Sequence, residues 1–286
     1  MKTLTLSAPA KINLTLDILR KRPDGYHDLR MVMQAVSLCD TVTVAAGGAF
    51  AVRSDGAELP AGEGNLAYRA AREFFRQAGV RIDGPEILLQ KRIPLCAGLA
   101  GGSADAAAVL RALRALCAPG LTLGELERIG EAVGSDVPFC VRGGTALAEG
   151  RGERLRSLPS LPPCFLVLCK PDFDLPTPAL FGRVRVEKIR RRPDTAGMEN
   201  ALCRGDLAGA ASLLCNVFEE FLTPQESGEI RAIGGVLRDR GALGAAMTGS
   251  GPTVFGIFSG QEDARRAAAD LGVRYRQTFL AQPVSL

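Results

Sequence analysis

The chain has 286 residues, 47% hydrophobic and 23% charged, with a formal net charge of +4. That length holds two domains of ordinary size, the small charge argues against a dedicated nucleic-acid surface, and no apolar run approaches the roughly 18 residues of a membrane span. The first residues lack the apolar core of a signal peptide, so a cytoplasmic protein is expected.

Residues 6–19 alternate. Ile12, Leu14, Leu16 and Ile18 face one way and Lys11, Asn13, Thr15 and Asp17 the other, which predicts a half-buried strand with a polar face. Pro23-Asp24-Gly25 is a turn, with Pro preset for its first corner and Gly for the left-handed one, and Tyr26 and His27 follow at once. Short strands are expected at 31–38, 41–45 and, across Gly47-Gly48, 50–53. Asn65 opens a helix to about Gln77 that Gly79 stops. A strand over 86–93 carries Ile87, Leu89 and Ile93 on one face. After the loop that follows, Val109, Leu110, Leu113, Leu116 and Cys117 mark a helix that Pro119-Gly120 ends.

Thr122 and Glu125 form a capping box for a helix that turns Leu126, Ile129 and Val133 inward and stops at Gly134. Asp136 comes next, in a loop where an Asp commonly satisfies turn amides. A strand at 145–148 runs into a charged loop at 149–154. The proline-rich stretch 158–163 is the best linker, dividing the chain into domains at 1–158 and 159–286. Beyond it a strand at 165–169 precedes an irregular proline-rich loop at 171–178. Arg183, Arg185, Lys188, Arg190, Arg191 and Arg192 form a basic run, read as a solvated face. Helices at 205–222 and 225–240, strands at 242–246 and 253–258, a helix at 262–271 and a strand at 273–280 complete an α+β pattern, with the glycine turn 248–252 before the penultimate strand.

Eight cysteines are scattered without a C-x-x-C pair, and there is one histidine, so no metal site is expected from them. Most of the thiols lie in apolar contexts and are expected to be small buried hydrophobes in a reducing compartment. Cys96 is the exception, lying in a glycine loop before a helix.

That loop is the centre of the sequence: Pro94, Leu95, Cys96, Ala97, Gly98, Leu99, Ala100, Gly101, Gly102, Ser103, Ala104. Strand, glycine loop and helix N-terminus in this order make an anion site, because the first-turn N–H groups lack intrahelical partners and the helix dipole adds partial positive charge. It is not a Walker A loop, since no Lys follows Gly102, and Ala100 breaks the G-x-G-x-x-G pattern.

Three separated stretches, Pro9-Ala10-Lys11-Ile12-Asn13, the 94–107 loop and Thr248-Gly249-Ser250-Gly251-Pro252, together resemble the three motifs of the galactokinase, homoserine kinase, mevalonate kinase and phosphomevalonate kinase superfamily. Arg22-Pro23-Asp24-Gly25-Tyr26-His27 and Gly134-Ser135-Asp136-Val137-Pro138-Phe139 resemble the branch of it that acts on diphosphocytidyl-methylerythritol. The resemblance implies a two-domain α+β small-molecule kinase, with a ribosomal-S5-like ATP-binding and catalytic domain and a ferredoxin-like substrate-binding domain. It implies ATP and Mg²⁺, a small-molecule acceptor, no nucleic acid or membrane partner, and a monomer or homodimer. It assigns Asp136 as the base and Lys11 as its partner. Asn65, Lys91 and the 94–104 loop go to ATP; Asn13, Tyr26, His27, Asp136, Thr177, Phe181, Gly249 and Ser250 go to the acceptor. Two departures stand out. Ala104 replaces a common second serine, removing a hydroxyl that could touch phosphate or Mg²⁺. Ala100 replaces a glycine and is expected to be tolerated, because alanine fits most conformations open to non-glycine residues. The alternatives are a sibling kinase for homoserine or mevalonate, whose substrates carry no base to stack, and an RNA-binding module, against which 5% aromatics weigh.

Overall fold

The computed structural model describes residues 2–47, 49–56, 58–80 and 84–285; Gly48 of the expected Gly47-Gly48 turn lies outside them. In chain order the elements are β1 (Thr3–Lys21), β2 (His27–Ala45), β3 (Ala51–Ser54), α1 (Leu66–Ala78), β4 (Glu86–Gln90), α2 (Gly101–Cys117), α3 (Leu123–Val133), α4 (Val137–Arg142), β5 (Thr145–Gly150), β6 (Arg154–Leu158), β7 (Phe165–Lys170), α5 (Thr177–Arg183), α6 (Thr195–Arg204), α7 (Leu207–Ser212), β8 (Cys215–Asn216), α8 (Pro224–Asp239), β9 (Gly244–Met247), β10 (Val254–Phe258), α9 (Gln261–Arg274) and β11 (Gln277–Ala281). Among the described residues no helix is long and apolar enough to cross a membrane.

The chain divides into two compact units, and β1 and β2 are long enough to contribute to both. The first contains Met1–Ala10, Cys39–Ile93 and Ala100–Gly143. In it the end of β2 pairs antiparallel with β4, and β4 parallel with β3. Ile87 and Leu89 of β4 are buried while Glu86, Leu88 and Gln90 are exposed, the alternation the sequence predicts. Helix α1 starts where Asn65 accepts a hydrogen bond from Ala67 N and ends at a left-handed Gly79. Its buried face is Ala67, Ala70, Ala71 and Phe74, and α2 buries Ala106, Ala107, Leu110 and Leu113. Two alanine-rich faces let these helices approach closely. The capping box of α3 forms as expected, with Thr122 and Glu125 satisfying each other's backbone N–H.

The second unit contains Lys11–Leu38, Pro94–Leu99 and Gly144–Leu286. Its four-stranded antiparallel sheet has the order β11-β7-β10-β9, with α8 ahead of β9 and α9 between β10 and β11. That order and those crossovers give the ferredoxin-like arrangement. Phe255, Ile257 and Phe258 of β10 are wholly buried.

Several elements differ from expectation, each for a physical reason. The polar face of β1 is not solvated: Lys11, Asn13, Thr15 and Asp17 are all at most 6% exposed. Each meets a partner in its own unit, as when Thr15 accepts from Val32 N and Asp17 from Arg192. Arg192 stays exposed in the basic run while its guanidinium reaches Asp17. The 149–154 loop is a hairpin turn feeding β6, held open by Gly150 and Gly152 at positive φ. Residues 171–176 are irregular as expected, while Thr177 and Pro178 open α5, where the missing N–H of Pro178 costs nothing. The helix expected at 205–222 does not exist. Left-handed Gly205 ends α6, Asp206 caps α7, and Cys215–Asn216 joins β1 as a parallel strand. Of the cysteines, Cys140, Cys164 and Cys169 are buried, whereas Cys96 and Cys203 are exposed. Burial pushes the Cys164 thiol up to about 12.

Candidate functional site

In the second unit Lys11–Asn13, residues 94–99 and the turn 248–252 interlock. Lys11, on a strand whose backbone N–H is tied to Leu99 O, points its ammonium at Asn13 Oδ1 (2.7 Å) and Gly98 O (3.1 Å). Asn13 N donates to Thr248 Oγ1 at 3.0 Å. Gly98 and Gly249 are required here twice over. Both have positive φ, 71° and 56°. A Cβ on Gly98 would stand 2.3 Å from Thr248 O, and one on Gly249 would stand 2.7 Å from Gly98 O and 3.1 Å from Lys11 Nζ. Within the loop, Pro94, Ala97 and Leu99 turn inward and Leu95 and Cys96 outward.

Beside this knot the same unit gathers an aromatic cluster. The turn at Pro23-Asp24-Gly25 closes through Gly25 N to Arg22 O, and Asp24 accepts from Tyr26 N. It leaves Tyr26 55% exposed, with the Arg151 guanidinium 5.4 Å from its ring centre. His27 stacks on Phe181 at 5.1 Å, and Phe218 meets Phe181 edge-on at 4.9 Å. Burial, helped by Lys21, pulls the His27 imidazole below its ordinary value. Thr177 and Ser250 share a hydrogen bond of 2.7 Å. Lys11, Asn13, Tyr26, His27, Thr177, Phe181, Gly249 and Ser250 thus all belong to one unit.

The other expected residues lie in the first unit. Ala100 starts α2 without a side-chain cap, so the first-turn N–H groups at Gly101, Gly102 and Ser103 are free of intrahelical partners. Ala100 does not take an ordinary alanine conformation: its φ is 58°, and Cys96 has φ 50°. The turn needs left-handed backbone there, which is the reason for a glycine, and alanine bears the strain. Gly101 faces inward, since a Cβ would lie 3.0 Å from Ile93 Cγ2 and 3.6 Å from Lys91 Nζ. Asn65 spends its Oδ1 capping α1. Asp136 is the residue before α4 and makes no side-chain cap hydrogen bond to it.

Lys91 is held differently. Its ammonium bonds Asp40 and Asp105, with the three side chains at most 7% exposed. Asp40 also accepts from Arg92 N and Ile93 N, fixing the chain as it leaves β4. Burial pushes the Asp105 carboxyl above the ordinary range; Lys91 opposes this and Asp40 adds to it. Asp105 Oδ1 is buried with no hydrogen-bond partner.

The residues 65–144 match the family model "GHMP kinases N terminal domain", and 198–276 match "GHMP kinases C terminal". A 4-diphosphocytidyl-2-C-methyl-D-erythritol kinase of Pelotomaculum thermopropionicum is 47% identical over 96% of this chain and 94% of its own. That of Exiguobacterium sibiricum is 46% identical over 92% of each. The chain belongs to the 4-diphosphocytidyl-2-C-methyl-D-erythritol kinase family. A crystal structure of a kinase of that description, 37% identical and covering 98% of both chains, superposes with a TM-score of 0.81. A homoserine kinase from Cytophaga hutchinsonii, 19% identical, shares the fold with a TM-score of 0.75. As a member of this family the protein is a phosphotransferase with an alcohol as acceptor.

Sequence reasoning missed Asp40, Asp105, Arg151 and Asn216. Asp40 carries a signal: a lone carboxylate between Leu38 and Val42 in an apolar strand must be paired if buried. Asp105 follows a glycine loop one turn into α2, flanked by Ala104 and Ala106. Arg151 and Asn216 carry none, since their partners are remote in sequence.

Proposed function

We propose that the protein transfers the γ-phosphoryl group of ATP to the 2-hydroxyl of 4-diphosphocytidyl-2-C-methyl-D-erythritol, a step of the non-mevalonate route to isoprenoid precursors. The observation that carries this choice of acceptor is the stack of His27 on Phe181, with Tyr26 exposed one residue earlier, in the same unit as Lys11 and Gly249. Homoserine and mevalonate offer nothing for such rings to stack on. A cytosine does, and a base–aromatic stack contributes roughly 1–3 kcal/mol.

Phosphoryl transfer asks for positioning and charge neutralisation more than covalent chemistry. The first-turn N–H groups of α2 and the loop before it are suited to ATP phosphates. Asp136 takes the proton of the acceptor hydroxyl as the new bond forms. Lys11 presents its ammonium to the transferring group. Tyr26 and Phe181 hold the base, and the backbone N–H and C=O of His27 read its edge. Asn13, Thr177, Gly249 and Ser250 shape the acceptor site around Lys11. Mg²⁺ fits the donor chemistry at the start of α2, where the Ser103 hydroxyl and the unpartnered Asp105 Oδ1 are hard oxygen donors. Bound with the nucleotide, the ion neutralises phosphate charge.

The test is ADP release with a panel of acceptors. Diphosphocytidyl-methylerythritol is expected to be turned over, a uridine analogue poorly, and Tyr26→Ala to raise KM for the cytidine substrate while sparing KM for ATP. Faster turnover of homoserine or mevalonate would overturn the assignment.

A further inference from the structure

We infer that Asn216 is a positioning residue for this reaction, one buried amide that braces both the glycine turn beside Lys11 and the aromatic wall behind Phe181. The inference rests on the function proposed above. Asn216 is 5% exposed and ends β8, where its backbone is in register with Leu16 of the strand that carries Lys11 and Asn13. Its Nδ2 donates to Met247 O and to Gly249 O, each at 2.8 Å. Its Oδ1 accepts from Phe218 N at 3.0 Å. Both donors and an acceptor lone pair are spent.

The two carbonyls bracket Thr248, whose hydroxyl takes the N–H of Asn13. One of them belongs to Gly249, whose close approach to Lys11 and Gly98 leaves no space for a Cβ. The Oδ1 bond fixes Phe218, and the Phe218 ring meets Phe181 edge-on. A single side chain thus sets where the turn lies against Lys11 and where the base-stacking wall stands. No other residue type reproduces it. Leu leaves three backbone groups unpaired, and Asp sets lone pairs against two carbonyls.

The plain alternative is that Asn216 merely caps the 3₁₀ turn Val217–Phe221. That role uses Oδ1 alone, so Asn216→Asp separates the two: Asp keeps the cap and loses both donors. Two lost hydrogen bonds and a displaced turn are expected to lower kcat by roughly 10–100-fold and raise the acceptor KM, with the ATP KM changed by less than about 2-fold. A second signature is pH. A carboxyl facing two carbonyls regains one donor when protonated, so the activity of Asn216→Asp relative to the unaltered protein rises as pH falls.

A companion variant covers a failure of Asn216→Asp to fold. Asn216 lines a cavity of about 460 Å³ with Cys215, Ala211 and Gly244, so water can replace the lost donors in Asn216→Ser. That variant is expected to keep its melting temperature and lose kcat. Leu237→Ala, in the buried face of α8, is the control, losing stability while the folded enzyme keeps its kcat. Hydrogen exchange of residues 247–251 and of Phe218 reads the same bracing without an acceptor, and faster exchange at 247–251 is expected in Asn216→Asp. If that exchange and the kinetic constants match those of the unaltered protein, the inference is wrong. If the unaltered protein ignores the acceptor while the exchange changes as stated, the bracing stands and the functional reading falls alone.

Discussion

Two lysines, one in each unit, have little exposed side chain and sit in different surroundings. Lys91 is gripped by two carboxylates, Asp40 and Asp105. Lys11 donates to Asn13 Oδ1 and Gly98 O of its own unit, which fix where its ammonium points. A buried cation between carboxylates is a structural post, since removing any member leaves a charge uncompensated. An ammonium aimed by a glycine-loop carbonyl and by Asn13 is placed by the motif stretches themselves. Burial alone therefore does not tell which lysine does chemistry; the place of each in the motifs does.

The largest expected effect comes from giving both lysines the same substitution. Lys11→Met should lower kcat by roughly 10²–10⁴ with substrate binding and melting temperature much less changed. Asp136→Asn, which keeps size and removes the base, should fall in the same range. Steady-state kinetics beside a thermal melt reads both. A Lys11→Met enzyme with near-normal kcat and a large loss of stability would make the two lysines alike and remove the contrast.

Lys91→Met should act first on stability. Leaving Asp105 and Asp40 without their cation costs about 3–5 kcal/mol, read as a lower denaturant midpoint. The pH dependence sharpens this. The folded pKa of Asp105 is raised above the ordinary 3.8, mainly by burial, with Lys91 opposing. Its protonated form is thus the one folding favours. The contribution is fully present below the unfolded value and is lost as pH rises through the folded one. Asp105→Asn stays neutral throughout, so from about pH 4 to about pH 8 its stability should improve steadily relative to the unaltered protein. A constant difference across that range would mean the carboxyl is not strained by its burial.

Those two lysines also mark what the sequence makes legible. The motif around Lys11, the glycine turns and the capped helices α1 and α3 read directly, because each is a local pattern with a local cause. The burial of Lys11, Asn13, Thr15 and Asp17 does not, because alternation in a strand looks the same whether its polar side meets water or the rest of its unit. The 205–222 stretch misleads for a related reason: Leu207, Ala210, Leu213, Leu214, Val217 and Phe218 keep a helical spacing through a break that only Gly205 and the pairing of Asn216 with Leu16 create. Asp40, Asp105 and Asn216 act on partners that the chain brings near only after folding.

The smallest effect tests the loop where the segment belonging with Lys11, residues 94–99, gives way to the segment belonging with Lys91. Ala100 opens the latter with φ 58° and ψ 32° and no cap hydrogen bond from its side chain. Holding an L-residue with a Cβ in that region costs roughly 1–2 kcal/mol. Ala100→Gly removes the strain and loses no side-chain hydrogen bond, but glycine gains about 0.4–1 kcal/mol of freedom in the unfolded chain. The balance is a stabilisation of about 0.5–1 kcal/mol, or a rise in Tm of about 1–4 °C for a chain of this size. The backbone already has the shape glycine prefers, so kcat and the ATP KM should stay as they are. A fall in Tm would mean that the methyl group packs well enough to outweigh the strain. A gain in Tm with weaker ATP binding would mean that the strained alanine holds the first turn of α2 in place for phosphate, giving this position a role that neither lysine shares.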